Sequence, residues 1–301
     1  MSDTMALRCG TVALIGAPNA GKSTLVNQLV GQKVAITSSK AQTTRTRMTG
    51  IALLGNTQAM ILDTPGIFDG KDRMDRAMVA AARDSLEGAD VVLVMRDASR
   101  KKHHPDERIM EFLTGYKGHV VLILNKVDRA DKPQLLLLAE EMSAQIGAEE
   151  TFFTNSLTGE GIDPLRDYLE RTLPEGPWHY PEEQVSDVSQ RLFAAEVTRE
   201  QLYHQLHAEL PYASVVVTEK YEERADGSLE IHQQILVERE TQKAIILGKG
   251  GSRIKEIGAK ARQELGGLIE APVHLYLHVK VDPNWRDTKD VYSEIGLEWG
   301  Q

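Results

Sequence analysis

The residues best suited to do chemistry lie at 16–23, where the sequence reads GAPNAGKS. This segment fits the G-x-x-x-x-G-K-[ST] pattern of a phosphate-binding loop. Gly16 and Gly21 permit backbone conformations in which successive N–H groups converge on phosphate oxygens. Lys22 would reach the β- and γ-phosphates of a nucleotide, and the Ser23 hydroxyl would bind Mg²⁺. The alternative is a plain glycine-rich turn, so the neighbouring elements matter.

The flanking segments supply the elements that such a loop requires. Residues 11–15 form an apolar run typical of a buried strand, and residues 23–30 carry apolar side chains at helical spacing. The N-terminus of that helix would place partial positive charge behind the phosphates. The order strand, loop, helix therefore favours a nucleotide site.

A polar loop at 31–48 carries the sequence QTTR at 42–45. A threonine in such a loop can coordinate Mg²⁺ and sense the γ-phosphate, which makes the loop a switch. Threonine-rich loops are common, so the position of this one between the phosphate loop and the next motif gives it weight. Of Thr43 and Thr44, we expect Thr44 to be the ligand.

The next motif is DTPG at 63–66, which follows strands predicted at 50–54 and 59–62. Asp63 at the end of a buried strand can hold Mg²⁺ through water, and Gly66 offers a backbone N–H to the γ-phosphate and a hinge. Alone, D-x-x-G is more often an ordinary turn. The charged loop at 68–75, which contains Gly70, is predicted as a second switch.

The motif NKVD at 125–128 ends a strand predicted at 119–124. Asp128 can accept hydrogen bonds from N1 and the 2-amino group of guanine, whereas adenine presents the opposite pattern. Asn125 would order the loop, and the Lys126 stem would lie over the base. The motif therefore indicates GTP rather than ATP.

Strands and helices alternate through the N-terminal half. Besides those above, we predict strands at 89–95 and 150–153 and helices at 106–116, 133–146 and 163–172. This alternation predicts an α/β fold with a doubly wound, mostly parallel sheet and the ligand at the carboxyl ends of the strands. His103 and His104 are predicted to be solvated loop residues, because no other ligand accompanies them.

The C-terminal part has a different pattern. A segment rich in proline at 173–188 is predicted as a linker between a domain at 1–172 and a second at 189–301. The second domain is predicted to contain a helix at 189–210, antiparallel strands at 215–221 and 230–237, helices at 242–247 and 252–265, and a strand at 271–281.

The sequence GKGG at 248–251 joins the two short helices. A helix, a G-x-x-G turn and a second helix form the heart of a KH domain, whose turn faces the phosphates of a single strand while bases lie in the groove beside it. The alternative is a helix–helix turn without a ligand. Local basic charge favours RNA, and the predicted RNA-binding residues are Gly248, Lys249, Gly250, Gly251, Arg253 and Lys255.

Composition limits the function classes. The formal net charge of −9 argues against indiscriminate nucleic-acid binding. The single cysteine, Cys9, excludes an internal disulfide and suits a reducing cytoplasm. Residues 1–8 predict no signal peptide, and no apolar run approaches the roughly 20 residues of a membrane span. Peripheral contact with the inner face of the cell membrane is left open.

The four nucleotide motifs, together with the C-terminal pattern VERE…KAIILGKGG…EAPVHL, resemble the Era family of translation-factor-related GTPases. The resemblance implies a P-loop GTPase domain followed by an α+β type II KH domain. It also implies GTP hydrolysis, binding of 16S rRNA near its 3′ end, and a role in assembly of the small, 30S ribosomal subunit by a monomer.

The resemblance also assigns residues. Contacts to GTP, GDP or Mg²⁺ fall on Gly16, Ala17, Pro18, Asn19, Ala20, Gly21, Lys22, Ser23, Thr24, Asp63, Thr64, Pro65, Gly66, Asn125, Lys126, Asp128, Asn155 and Ser156. The Mg²⁺ ligands are Ser23, Thr44 and Asp63. Catalysis falls on Lys22, Thr44, Gly66 and Asn19. The family's fifth motif is usually Ser-Ala, and here Asn155-Ser156 takes its place.

Two residues bear on turnover. Ile67 stands where Ras has the glutamine that orients the attacking water, so intrinsic hydrolysis is expected to be slow. In related GTPases an asparagine at the position of Asn19 supports a K⁺ ion, which we hypothesise here. Two alternatives remain: a GTPase acting on the large subunit or on tRNA, and a passive RNA-binding protein whose nucleotide domain does not hydrolyse.

Overall fold

The computed structural model describes residues 6–38, 40, 43–45, 47–67, 72–100, 107–207 and 209–299. Its contacts divide the chain into two compact units. The first comprises Met1–Ala35, Thr44–Lys71 and Met78–Asp187, and the second comprises Ile36–Thr43, Asp72–Ala77 and Val188–Gln301. Two short segments of the N-terminal half thus belong to the second unit. The domain limits predicted above, 1–172, 173–188 and 189–301, stay predictions.

A six-stranded sheet in the order β2-β3-β1-β4-β5-β6 forms the centre of the first unit; β2 runs antiparallel to β3, and the other neighbouring strands run parallel. Its strands are β1 (Arg8–Gly16), β2 (Met48–Leu54), β3 (Thr57–Asp63), β4 (Val91–Asp97), β5 (His119–Asn125) and β6 (Glu150–Thr154). The central strands are apolar runs because helices cover both faces. The predicted α/β fold class is confirmed.

Among the described residues, five helices belong wholly or partly to this unit: α1 (Lys22–Val30), α2 (Arg73–Asp84), α3 (Glu107–Leu113), α4 (Lys132–Ile146) and α5 (Asp163–Thr172). Along β1, Val12 and Leu14 belong to one apolar cluster while Ala13 and Ile15 belong to the other. This alternation follows from the two-residue period of a strand. Two packed layers therefore hold the strand ends, where the nucleotide motifs lie.

The second unit has a three-stranded sheet in the order β7-β8-β9, antiparallel between β7 and β8 and parallel between β8 and β9. Its elements are α6 (Gln190–Gln205), β7 (Ser214–Glu223), β8 (Leu229–Val237), α7 (Glu240–Leu247), α8 (Ser252–Ile269), β9 (Val273–Val281) and α9 (Lys289–Glu294). Leu202, Ile235 and Ile257 lie in its core. The order α–β–β–α–α–β is that of the predicted type II KH domain.

The structure contains two helices that were not predicted, and a third ends earlier than predicted. α2 was not foreseen, although Met74, Met78 and Ala82 recur at helical spacing and are buried; it begins at Arg73, inside the predicted switch loop at 68–75. α6 ends at Gln205 rather than at 210. α9 was missed.

Several predicted positions lie outside the described residues, namely Gln42, residues 68–71 with Gly70, His103 and His104.

Candidate nucleotide-binding and RNA-binding sites

The phosphate loop leaves β1 at Gly16 and enters α1 after Gly21. A Cβ atom at Gly16 would lie 2.3 Å from the carbonyl oxygen of Met95, and one at Gly21 would lie 2.2 Å from Nδ2 of Asn125. Gly21 also has a φ of 107°, which side-chain-bearing residues rarely adopt. Both positions therefore require glycine, and the loop can bring its backbone close to an anion.

Lys22 begins α1 and its side chain is buried. Its Nζ donates to the carbonyl oxygens of Gly16 at 3.1 Å and Ala17 at 3.2 Å. Burial lowers the Lys22 pKa to about 8, and the negative charge of Asp63 opposes that shift in part. A desolvated ammonium group that is folded onto its own loop is suited to donate hydrogen bonds to phosphate oxygens.

Three oxygen-bearing side chains meet beside the N-terminus of α1. Ser23 Oγ donates to Asp63 Oδ2 at 2.6 Å and lies 2.8 Å from Thr44 Oγ1, which itself donates to Asp63 Oδ2 at 3.2 Å. Thr44 and Asp63 are buried. Mg²⁺ prefers such hard oxygen ligands and usually completes its shell with water and substrate phosphate. The donor set fits Mg²⁺.

The segment after β3 is held against the phosphate loop. Thr64 Oγ1 donates to the carbonyl oxygen of Leu14 at 2.7 Å, and the Ile67 N–H donates to that of Gly16 at 3.2 Å. A Cβ atom at Gly66 would lie 2.8 Å from Pro18. Gly66 therefore lies next to the loop that would hold the γ-phosphate.

Asn125 joins three loops at the end of β5. Its Nδ2 donates to the carbonyl oxygen of Ala20 at 2.8 Å. Its Oδ1 accepts from Thr154 Oγ1 at 3.1 Å and from both the N–H and the Oγ of Ser156 at 2.9 Å. The phosphate loop, the NKVD loop and the loop after β6 are thereby fixed to one another.

Lys126 makes a second connection between the NKVD loop and the phosphate loop. Its Nζ donates to the carbonyl oxygen of Asn19 at 2.7 Å and to Asp97 Oδ2 at 2.8 Å. Burial would raise the pKa of Asp97, but hydrogen bonds from Lys126 and Ser99 outweigh it and lower that pKa. Sequence reasoning missed Asp97. The strand was predicted at 89–95, whereas β4 extends to Asp97, at the edge of the sheet where ligands bind.

Asp128 and the loop after β6 complete the base-binding region. The side chain of Asp128 is 43% exposed, and Arg129 Nε lies 3.6 Å from its Oδ2. Asn155 Oδ1 accepts from the Leu157 N–H at 3.1 Å, and the Asn155 N–H donates to Glu160 O at 2.9 Å. Asn155 thus shapes its own loop, and contact of this loop with a nucleotide stays a prediction.

In the second unit, the loop between α7 and α8 contains the sequence GKGG. Gly248, Gly250 and Gly251 have φ values of 68°, 59° and 77°. Arg253 Nη1 donates to the carbonyl oxygen of Ile245 at 2.8 Å and so joins the two helices across the turn. The turn is tight because three of its residues adopt conformations that favour glycine.

A groove of about 360 Å³ lies beside this turn, between α8 and β9. Its lining combines apolar and cationic side chains and includes Ile254, Lys255, Gly258, Arg262, Leu275 and Tyr276. Apolar and aromatic surface suits unstacked bases, and the lysine and arginine suit phosphates. The groove is therefore a candidate site for single-stranded RNA.

Comparison with known proteins finds matches for both the nucleotide-binding region and the RNA-binding region. Residues 11–126 match the family described as 50S ribosome-binding GTPase, and residues 209–286 match the KH domain. The chain is 56% identical to the GTPase Era of Erythrobacter litoralis (strain HTCC2594), with 97% of each chain covered. This chain belongs to the Era family of GTPases.

Two solved Era structures are similar over nearly the whole chain. One is Era in complex with MgGDPNP and nucleotides 1506–1542 of 16S ribosomal RNA, at 38% identity and a TM-score of 0.90, with 98% of this chain and 100% of that chain covered. The other is an Aquifex aeolicus Era variant bound to GDP and AlF4⁻, at 37% identity, a TM-score of 0.90 and the same coverage. As a member of this family, the chain is a GTP-hydrolysing enzyme.

The buried Lys22 makes nucleotide affinity depend on pH. We expect the affinity for GDP to fall by about tenfold between about pH 7 and pH 9. With a pKa of about 8 in the free protein, Lys22 already carries its proton below that pH. Above it, binding must take up a proton, because the phosphates favour the ammonium form. Affinity is therefore flat below the pKa and falls as pH rises through it.

Calorimetric titration in buffers of different ionisation enthalpy measures this proton uptake directly. Guanosine is the control ligand, because it has the same base and no phosphate. The interpretation is wrong if guanosine affinity falls as steeply as GDP affinity does.

Proposed function

We propose that this protein is a GTP-controlled switch that binds 16S rRNA near its 3′ end and acts in assembly of the 30S ribosomal subunit. One observation carries the proposal: residues of four guanine-nucleotide motifs, and a G-x-x-G loop with a groove beside it, occur in one chain. A structural neighbour at 38% identity is described in complex with nucleotides 1506–1542 of 16S rRNA.

The RNA would be held by two kinds of contact. The N–H groups of Gly248–Gly251 and the side chains of Lys249, Arg253 and Lys255 would take phosphates. The groove between α8 and β9 would take bases. Its exposed tyrosine, Tyr276, offers a stacking surface.

Substituting Gly250→Asp is expected to weaken binding of an RNA with the sequence of nucleotides 1506–1542 by about tenfold or more, because a carboxylate would face the phosphates. Gly227→Asp is the matched control. Gly227 has a φ of 79° in the β7–β8 turn, and a Cβ atom there meets nothing within 4 Å, as at Gly250. Fluorescence anisotropy measures both variants. Equal losses of RNA affinity in the two variants would show that the loop is not part of the RNA site.

Hydrolysis would rely on Lys22, Thr44, Gly66 and Asn19 rather than on a glutamine. Ile67 is buried in the apolar cluster that contains Ala13 and Ile15. An apolar side chain in the core cannot orient a water molecule, which supports slow intrinsic turnover. GTP, when bound with Mg²⁺, would bring its γ-phosphate to this part of the loop.

A K⁺ ion at Asn19 would add positive charge to that which Lys22 already brings to the phosphate loop. Asn19 has a φ of 65°, and its carbonyl accepts from Lys126. We expect GTP turnover to be about tenfold or more faster in potassium than in sodium buffer. Asn19→Gly, which keeps the left-handed backbone, should abolish the difference. Equal wild-type rates in the two buffers would discard the idea.

One alternative has an observation in its favour. The matching GTPase family is described as 50S ribosome-binding, so the large subunit is the second candidate target. Crosslinking the protein in cells and sequencing the bound RNA decides between them, since the proposal requires enrichment of the 3′ end of 16S rRNA. A passive RNA-binding role is set aside because the family hydrolyses GTP.

The cytoplasmic location, the peripheral contact with the inner face of the cell membrane and the monomeric state stay predictions. Within the described ranges, none of the helices combines the length and apolar character needed to cross a membrane. Cell fractionation and light scattering test these three points.

A further inference from the structure

The outer face of β9 carries a row of aromatic and basic side chains. β9 lies at one edge of the three-stranded sheet of the second unit, and its side chains alternate between the two faces of that sheet. Leu275 and Leu277 pack against the apolar core on the inner face. The exposed residues of the outer face are His274, Tyr276, His278 and Lys280. We call these four residues the β9 row.

Tyr276 connects the β9 row with the groove beside the G-x-x-G loop. It lines that groove and is 49% exposed. Alternate residues of a strand lie about 6.6 Å apart, so His274 and His278 are the next members of the row on either side of Tyr276. A single strand of RNA that leaves the groove past Tyr276 therefore meets a second ring in either direction along β9.

The neighbouring strand supports the ring of Tyr276. The His232 ring on β8 lies against it, with centroids 4.6 Å apart and 30° between the two planes. His232 Nε2 is 2.9 Å from Glu230 Oε1. The same carboxylate accepts from Lys220 Nζ and from Arg224 Nε, both at 2.8 Å. Because these bonds hold His232 in place, the tyrosine ring is restrained before a base stacks on it, which lowers the entropic cost of binding.

The charges of this sheet favour an anionic ligand along β9 rather than along β7. The β9 row consists of one lysine, two histidines and one tyrosine. β7, at the other edge of the sheet, carries the exposed carboxylates Glu219, Glu222 and Glu223. Between them on β8, Glu230 is ion-paired with Lys220 and Arg224. An RNA strand is therefore attracted to the β9 edge and repelled from the β7 edge.

The histidines of the row do not form a metal site. His274 and His278 are four residues apart on an extended strand, which separates their Cα atoms by about 13 Å. Across the described ranges of the chain, the His, Cys, Asp and Glu side chains form no group of three or more that could hold a metal ion. Rings that can stack on bases, together with an ammonium group for phosphate, are instead typical of a surface for single-stranded nucleic acid.

We propose that the β9 row is a second RNA-binding surface, which continues the groove and takes unpaired nucleotides next to those held at the G-x-x-G loop. The rings of the row stack on bases, and Lys280 pairs with a phosphate. The inference rests on the proposed RNA binding and extends it from the groove to the outer face of the sheet.

The test uses the full chain with the double substitution His278→Thr and Lys280→Thr. Threonine favours strands, so β9 should be kept. Of β9, residues 275–277 line the groove, so the double substitution leaves that lining intact. The matched control is His204→Gln with Lys289→Gln, which removes one exposed histidine and one exposed lysine from α6 and α9 of the same unit. Melting temperatures identify any variant that has lost its fold.

Two readouts are measured, with Mg²⁺ and a non-hydrolysable GTP analogue present throughout. The first is the affinity for an RNA with the sequence of nucleotides 1506–1542, measured by fluorescence anisotropy. We expect H278T/K280T to lose about tenfold or more, because one stacking contact and one phosphate contact are removed, and the control to bind like the wild type. The second is the slope of the logarithm of affinity against the logarithm of salt concentration, which should become less steep by about 0.7 in H278T/K280T only.

The outcomes separate this inference from the proposed function. If Gly250→Asp weakens RNA binding but H278T/K280T keeps the wild-type affinity and salt slope, the G-x-x-G loop binds RNA and the β9 row does not, which overturns the inference alone. If the wild type does not bind this RNA, both proposals are wrong. If H278T/K280T does not fold, the single exposed substitution Lys280→Gln replaces it, and an unchanged salt slope in that variant also overturns the inference.

Discussion

Replacing Lys22 with methionine is expected to weaken nucleotide binding strongly while leaving the nucleotide-free protein at least as stable as the wild type. The lost charge-assisted contacts to two phosphates correspond to about 3 kcal/mol or more, or at least about 100-fold in affinity. The opposite effect on stability follows from burial. A Lys22 pKa of about 8, against 10.5 when exposed, makes the folded state less stable by roughly 3 kcal/mol at neutral pH.

The sign of the stability effect can be checked against pH. Because the folded-state pKa is lowered, this destabilisation is fully present below about pH 8 and disappears as pH rises toward the unfolded value. The stability advantage of Lys22→Met should therefore shrink at alkaline pH. Met fits because its unbranched side chain preserves most of the buried volume.

Calorimetry of GDP binding and thermal unfolding of the nucleotide-free protein measure the two effects. Lys249→Met is the control: Lys249 is an exposed lysine of the G-x-x-G loop and should leave GDP affinity unchanged. GDP bound by K22M at wild-type strength would contradict the assignment of the phosphate loop.

Exchanging Asp128 for asparagine is expected to reverse the choice of base. The carboxylate would accept from N1 and the 2-amino group of guanine, and an amide puts a donor opposite one of those donors. We expect GTP affinity to fall by about 100-fold to 1,000-fold. Xanthine carries an oxygen acceptor in place of the 2-amino group, so XTP should gain affinity where GTP loses it.

Competition binding with GTP and XTP measures the reversal. Asp131→Asn is the matched control, because Asp131 is an exposed carboxylate three residues further on, at the N-terminus of α4. If the Asp128 variant keeps the wild-type preference for GTP, the guanine base does not bind at Asp128.

Much of the nucleotide site was predictable because the sequence places its residues at the ends of buried strands. Asp63 ends β3 and Asn125 ends β5, and parallel strands bring those ends to one edge of the sheet. Asp97 was not predicted, since its role depends on the β4–β5 register that places it beside Asn125.

Other features could not be predicted because the local sequence points elsewhere. The helical pattern after α6 continues through Leu206 and Leu210, which are both buried although the helix has ended. Arg199 reads as one more charge on an amphipathic helix. Its buried pairing with Glu196 and its bond to Thr43, 156 residues away, depend on the tertiary fold alone.

The position of Asn125 matters for anyone who wants this protein to respond to an unnatural nucleotide inside a living cell. Its amide nitrogen supports the loop that would hold the triphosphate, and its amide oxygen supports the loop after β6. Substitution of Asn125 would therefore disturb triphosphate binding and base selectivity together. Asp128 takes no part in these hydrogen bonds of Asn125. A variant that responds to an unnatural nucleotide should therefore be made by substituting Asp128.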